Sequence, residues 1–169
     1  MLFRSQGHPP WGLVWADQEW TDVCRTDLAD AVILLGPPTR NGGDPGAGRM
    51  QPADDAACPY QVRFAEWDYL ARDFDGNGHK PEQISYLGLS PGVYTMDDGS
   101  VWEVGSFKNW GNGVWKTVSF QNGFAGTPTL FLTIQTANGT QATTARAHNV
   151  APDGFDAAMF EEEYLRDGG

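Results

Sequence analysis

The chain contains one stretch twice, first as Ala31-Val-Ile-Leu-Leu-Gly-Pro-Pro-Thr-Arg-Asn41-Gly42 and again as Pro128-Thr-Leu-Phe-Leu-Thr-Ile-Gln-Thr-Ala-Asn138-Gly139. In each copy an apolar run leads to an Asn-Gly pair. An arginine follows after six further residues, Arg49 in the first copy and Arg146 in the second. Such spacing, repeated along one chain, indicates a repeated structural unit.

The repeat extends on both sides of this stretch. Upstream, Trp20-Thr-Asp-Val23 matches Trp115-Lys-Thr-Val118; downstream, Phe64-Ala-Glu-Trp-Asp-Tyr-Leu70 matches Met159-Phe-Glu-Glu-Glu-Tyr-Leu165. The tryptophans are 95 positions apart and the Asn-Gly pairs 97, a drift that two small insertions in turns explain. We therefore divide the chain into an extended arm (1–12), a first unit (13–108) and a second, incomplete unit (113–169).

Short runs with a period of two predict an all-β chain. Tyr60, Val62 and Phe64 alternate with Gln61, Arg63 and Ala65. Over residues 129–135, Leu130, Leu132 and Ile134 face one way, and Thr129, Thr133 and Gln135 face the other. This period is typical of half-buried strands, and 21 glycines and 11 prolines supply turns between them. The sequence predicts antiparallel β-sandwiches in two tandem repeats.

Further strands and a hairpin follow from the same pattern. Residues 12–24 suit a first strand pair, with Trp15, Trp20 and Val23 packing inside, and residues 41–59 are loop-rich. A strand is expected over 84–89 and a hairpin over 93–104. Residues 157–166 could form a helix by propensity alone, but their counterpart in the first copy has strand spacing.

The second unit has no counterpart of the strand at 84–89. Either the chain is a fragment of a longer array, or another segment supplies this strand. The arm over residues 1–12 and a neighbouring molecule are the two candidates.

A net charge of −11 excludes some partners. So acidic a chain repels phosphate backbones, which argues against nucleic acid, and it avoids anionic membranes. We also find no run of about 18 apolar residues that could cross a membrane, and no signal peptide in residues 1–15. Cys24 and Cys58 could form a disulfide bond or remain buried thiols.

The second copy resembles the H-type lectin domain. The resemblance lies in Trp115-Lys-Thr-Val118-Ser-Phe120, Phe124-Ala-Gly-Thr-Pro128, Arg146 and Asn149-Val150-Ala-Pro-Asp-Gly154-Phe155. It covers residues 113–165, and residues 15–90 more loosely. It implies a six-stranded antiparallel β-sandwich that binds sugars, often as a trimer. The ending shared by the two copies also looks like modules of large secreted bacterial proteins.

The resemblance implies sugar-binding residues in both copies. An arginine after the central turn and aromatic or histidine residues near the end of the next strand would contact the sugar. Aromatic faces stack on C–H groups, and polar side chains fix the hydroxyls. The candidates are Asn41, Arg49, Trp67, Tyr69 and His79 in the first copy, and Asn138, Arg146, Glu162 and Tyr164 in the second. For the Asn-Gly positions, a hairpin turn is the structural alternative.

A loop inserted only in the first copy has part of a calcium-binding pattern. Asp73, Asp75 and Asn77 place oxygen ligands at alternate positions before Gly78. The twelfth position is Ile84, and Glu82 lies two residues earlier. A Ca²⁺ site and a polar hairpin tip are the two interpretations.

The sequence thus favours a non-catalytic carbohydrate-binding module of a secreted bacterial protein, at an extracellular or cell-surface location. Its partners would be a glycan or polysaccharide and other copies of itself. The alternative is a structural subunit of an extracellular filament or surface assembly, built by strand donation. We expect no enzymatic activity, since the acidic run Glu161-Glu162-Glu163 suits a solvated strand end and no catalytic motif is present.

Overall fold

A computed structural model describes residues 9–43, 45–66, 80–139 and 142–161. These residues form antiparallel strands, one short 3₁₀ turn and no α-helix. The strands are β1 (Trp11–Ala16), β2 (Thr21–Val23), β3 (Val32–Pro38), β4 (Gly46–Asp55), β5 (Cys58–Glu66), β6 (Glu82–Leu89), β7 (Gly92–Thr95), β8 (Val101–Val104), β9 (Lys116–Ser119), β10 (Thr143–Ala151) and β11 (Gly154–Glu161). The all-β prediction is confirmed, and β11 is a strand rather than a helix.

Apart from the hairpin of β7 and β8, the first unit consists of two three-stranded sheets that share one core. Their strand orders are β1-β6-β3 and β2-β5-β4. Alternate residues of each sheet point between the layers, and Met50, Val62 and Ile84 are almost completely buried there. Burial of this apolar area is the main stabilising contribution to the unit.

Two links hold the edges of this core together. Cys24 and Cys58 form a disulfide bond between the end of β2 and the start of β5, which decides the alternative left open by the sequence. The hydroxyl of Tyr60 donates to the carbonyl oxygen of Ala31 at 2.7 Å. Burial raises the pKa of that phenol, so the hydroxyl remains a donor.

The second unit repeats the sheet β2-β5-β4 as β9-β11-β10. Thr21 pairs with Val62, and Lys116 pairs with Ala157 at the corresponding place. The register of β4 with β5 also agrees with that of β10 with β11. The pair Gly46–Glu66 corresponds to Thr143–Glu161, and the pair Arg49–Arg63 corresponds to Arg146–Ala158. The two sheets therefore have the same strand order and the same register, offset as in the sequence.

Three sequence predictions differ from the structure. Residues 41–59 are not mostly loop, because β4 pairs along its length with β5, and this tertiary pairing overrides the glycine, proline and aspartate content. β1 and β2 do not pair with each other but join different sheets. Trp15 does not pack inside, because it lies on the outer face of the edge strand β1.

Residues 129–135, predicted as a strand, form none in the structure. β3, their counterpart, is a strand because it pairs with β6. Among the described residues of the second unit, no strand stands in the position of β6. Residues 129–135 have the alternating sequence of a strand, but among the described residues no second strand pairs with them to form a β-ladder.

The arm is shorter than predicted. β1 begins at Trp11, and the carbonyl oxygen of Pro10 accepts a hydrogen bond from the backbone N–H of Gly88 at 2.7 Å. Residues 10–12 thus belong to the first unit's own sheet. Residues 1–8 lie outside the described part of the chain.

Candidate functional site

The outer face of the sheet β9-β11-β10 concentrates aromatic and polar side chains. Successive strand residues point to opposite faces. Ala145, Ala147 and Ala157 therefore point inward, and their neighbours point outward. We call the outward group the Trp115 face; it comprises Trp115, Thr117, Arg146, His148, Asp156 and Phe160.

The aromatic part of the Trp115 face is an indole held by two other rings. The ring centroids of Trp115 and His148 are 4.0 Å apart, with an interplanar angle of 66°. Phe160 contacts the same indole at 5.7 Å. Trp115 still exposes 43% of its surface. An indole that is fixed by its neighbours yet open to solvent can stack on a ligand with little loss of rotamer entropy.

The polar part of the face is centred on Asp156. Its carboxylate accepts hydrogen bonds from the hydroxyl of Thr117 at 2.6 Å and from the side-chain amide of Asn149 at 2.8 Å. Nδ1 of His148 lies 3.6 Å from one carboxylate oxygen. The hydrogen bond from Thr117, then that from Asn149 and the proximity of His148, lower the pKa of Asp156. The group is therefore an oriented anion at neutral pH.

Arg146 completes the face beside the rings. Its guanidinium carbon lies 5.1 Å from the ring centroid of Phe160, a cation–π arrangement, and the side chain is exposed. The guanidinium carries five N–H donors in a planar fork. A fixed cation, an oriented anion and an open indole on one face suit the binding of a polyhydroxylated molecule.

The first unit has a similar face, which the second unit partly covers. There a side-chain ladder runs from Gln51 to Gln61 and on to Asp22, with hydrogen bonds of 3.0 and 2.8 Å. Arg63 lies over the ring of Trp20 at 4.7 Å. Arg49, the counterpart of Arg146, is only 3% exposed.

The burial of Arg49 changes its role. Its Nη2 donates to the carbonyl oxygen of Thr136 in the second unit at 3.3 Å. Burial and, to a smaller extent, the neighbouring charge of Arg63 lower its pKa, while Glu161 opposes the shift. Arg49 was predicted to bind a sugar; the structure places it instead in the contact between the two units.

The chain is 24% identical over 104 residues to Halomucin of Haloquadratum walsbyi. The match covers 62% of this chain and 1% of that protein, so the chain spans a very small part of its curated relative. No family model matches the chain. No solved structure matches it.

Asn41 and Glu82 meet in the turn that precedes β4. Both carboxylate oxygens of Glu82 accept hydrogen bonds from the backbone N–H of Asn41, at 2.8 and 2.9 Å, and one also accepts from Gly42 at 2.8 Å. The hydroxyl of Thr39 donates to the same group at 2.6 Å. Glu82 is buried, and these hydrogen bonds stabilise the turn before β4; the other residues predicted to bind calcium lie outside the described part of the chain.

The remaining predicted residues have varied outcomes. Asn138 is exposed in the turn that follows residues 129–135. Within the described ranges no group of three or more potential metal ligands occurs, and no helix is long and apolar enough to cross a membrane. Eight predicted residues lie outside the described part of the chain: Trp67, Tyr69, His79, Glu162 and Tyr164 for sugar, and Asp73, Asp75 and Asn77 for calcium.

Sequence reasoning identified Arg146 and missed the residues around it. Trp115 marked the repeat and the resemblance to lectins, and neither it nor His148 was among the predicted site residues. The signal that could have found them is the alternation of side chains between the two faces of each strand. Once β9, β10 and β11 are aligned, the outward residues of the three strands fall on one face.

Proposed function

We propose that the protein is a non-catalytic, lectin-like carbohydrate-binding module that acts outside the cell or at its surface. The observation that carries this proposal is the Trp115 face, which presents an exposed indole together with Arg146 and the Asp156 cluster. An apolar plate takes up the C–H side of a sugar ring, and the flanking charged groups take up its hydroxyls.

Two further features support the proposal. The resemblance to H-type lectins implies a sugar contact by Arg146, and Arg146 belongs to the Trp115 face. The disulfide bond between Cys24 and Cys58 is typical of proteins in oxidising, extracellular compartments. The glycan would be bound by stacking and hydrogen bonds.

Binding to an array of polysaccharides tests this function. We expect Trp115→Ala to weaken binding at least tenfold, because losing one well-placed aromatic contact costs about 1.4 kcal/mol or more. Trp110→Ala is the matched control, since Trp110 is 71% exposed and lies outside the Trp115 face. Equal binding by wild type and Trp115→Ala, or no binding by wild type to any polysaccharide, would contradict the proposal.

A structural subunit of an extracellular assembly is the second candidate. The observation that favours it is the different environment of two equivalent arginines. Arg49 is covered by the following unit, whereas Arg146 in the same register is exposed. A further unit, stacked as the second is on the first, would cover Arg146. The very large size of Halomucin relative to its matched segment is compatible with a protein of many units.

Sedimentation velocity without glycan distinguishes the two candidates. Assembly through this face predicts concentration-dependent oligomers that disappear in Arg146→Glu and persist in a control exchange at exposed Arg40, Arg40→Glu. A protein that stays monomeric at all concentrations and binds polysaccharide supports the lectin-like function alone.

A further inference from the structure

An apolar hollow of about 410 Å³ lies on the inner side of the second unit, opposite the Trp115 face. It is bounded on one side by residues 128–132 and on the other by β10. All its lining residues are apolar: Pro128, Leu130, Leu132, Ala145, Ala147 and Val150. The lining exposes backbone polar atoms as well as apolar side chains, so an added strand could pair with the first and pack against the second.

The first unit shows which element fills this place. Ninety-seven positions earlier, the lining residues correspond to Ala31, Ile33, Leu35, Gly48, Met50 and Ala53. Ile33 and Met50 belong to the core of the first unit, and Ala31 and Leu35 pack against it. There β6 covers them: a Cβ built on Gly48 would lie 3.4 Å from both Ile84 Cδ1 and Leu35 Cδ1. Ile84 and Met50 have no exposed surface. The hollow is thus the counterpart of the space occupied by the inward side chains of β6.

If no strand covers the hollow, its lining residues should be more exposed than their counterparts in the first unit, and Leu130 and Ala147 are. Met50 is fully buried beneath β6, whereas its counterpart Ala147 is exposed. Ile33 is buried, whereas its counterpart Leu130 is half-buried. The sheet, its register and one wall of the core are already present in the second unit, so an incoming strand would meet a largely formed surface.

The backbone next to the hollow is also suited to pairing. Residues 129–135 contact β3 through side chains: Thr133 Oγ1 accepts from the backbone N–H of Leu35 at 3.1 Å, and Gln135 Oε1 accepts from that of Ile33. Among the described residues, the backbone groups of 129–135 belong to no β-ladder. Unpaired backbone groups on an apolar segment are the requirement for strand addition.

We propose that this hollow binds an extended segment of a partner polypeptide, which adds to residues 129–135 as an antiparallel strand. The partner segment has the chemistry of β6, with large apolar side chains at alternate positions, as at Ile84 and Tyr86. By the register of β3 and β6, the Tyr86-like residue pairs with Leu132 and the Ile84-like side chain enters the hollow. The inference concerns the side of the second unit opposite the Trp115 face, so it is independent of glycan binding and of assembly through Arg146.

A synthetic peptide of residues 81–90, Pro-Glu-Gln-Ile-Ser-Tyr-Leu-Gly-Leu-Ser, is the probe. Titrated into the full chain and followed by calorimetry, it should bind with a stoichiometry of one. A peptide with Ile84→Asp and Tyr86→Asp should bind at least about a hundredfold more weakly, because a carboxylate in an apolar site costs several kcal/mol. Absence of binding, or equal binding of the two peptides, overturns the proposal.

Two variants of the chain locate the binding. Leu132→Asp places a charge in the hollow and should abolish peptide binding. Phe131→Asp is the matched control, because the neighbouring side chain is 65% exposed and does not line the hollow; it should bind like wild type. If the peptide instead replaces β6 in the first unit, both variants will bind equally and the proposal is wrong.

Hydrogen exchange supplies a readout specific to strand addition. On peptide binding, the amides of residues 129–135 should become protected, and unchanged exchange there contradicts strand pairing. Trp115→Ala should leave peptide affinity unchanged. Failure of glycan binding and failure of strand addition are therefore separate results.

Discussion

At the scale of single residues, Arg49 and Arg146 have the same register and opposite environments. Arg49 pairs with Arg63 across β4 and β5, and Arg146 pairs with Ala158 across β10 and β11. The first is buried against Thr136, and the second lies in the open over Phe160. The loss in free energy of unfolding on replacing each arginine should therefore depend on its contacts and not on its position in the repeat.

Replacing each arginine by methionine tests this difference. Arg49→Met keeps much of the apolar stem but leaves the carbonyl oxygen of Thr136 without its donor. We expect a loss of about 1.5–3 kcal/mol in the free energy of unfolding, the usual contribution of a hydrogen bond that involves a charged group. Arg146→Met should change it by less than about 0.5 kcal/mol, as exposed substitutions do. Urea unfolding measures both, and equal costs would show that the contact between the units contributes little.

At the scale of elements, the pairing partner decides whether an alternating sequence becomes a strand. β3 and residues 129–135 correspond position by position in the repeat. β3 pairs with β6 and is a strand, whereas residues 129–135 have no such partner among the described residues. β4 is the opposite case. Its segment is rich in turn residues, but it forms a strand because it pairs with β5.

The disulfide bond is a second constraint at this scale. It joins the end of β2 to the start of β5 across a sequence separation of 34 residues. Replacing both cysteines by serine should lower the free energy of unfolding by about 3–4 kcal/mol, through the greater entropy of the unfolded chain. Reductant should destabilise the wild type and leave the Cys24→Ser/Cys58→Ser variant unchanged in urea unfolding. A wild type insensitive to reductant, once its thiols are shown to be free, would contradict this prediction.

At the scale of the whole molecule, charge repulsion opposes folding. The chain has 22 acidic and 11 basic residues, which gives a net charge of −11. Like charges repel more strongly in the compact state than in the expanded chain, and salt screens them. The stability of the protein should therefore depend on ionic strength.

We expect the thermal midpoint to rise between 0.01 and 0.5 M NaCl, because the Debye length falls from about 30 Å to less than 8 Å. Most of the rise should occur below about 0.15 M, where the screening length shortens most. Calorimetry at constant pH measures it. A midpoint that falls with salt would mean that attractive ion pairs, such as Arg25 with Asp27, outweigh the repulsion.

The sequence by itself determined the all-β class, the alternation of β5 and β11, the hairpin of β7 and β8, and the offset between the two sheets. These features depend on neighbours along the chain, since side-chain period and turn residues are local properties. It also placed Arg146 on a candidate site through the resemblance to lectins.

Only the tertiary structure decided how these pieces meet. It paired Cys24 with Cys58, turned Trp15 to the outside, buried Arg49 against the second unit, and gathered His148 and Asp156 beside Trp115. Each of these outcomes depends on which residues far apart in the chain come into contact. Periodicity shows that a residue faces one side of a strand, but the packed neighbour determines whether that side is core, interface or open surface.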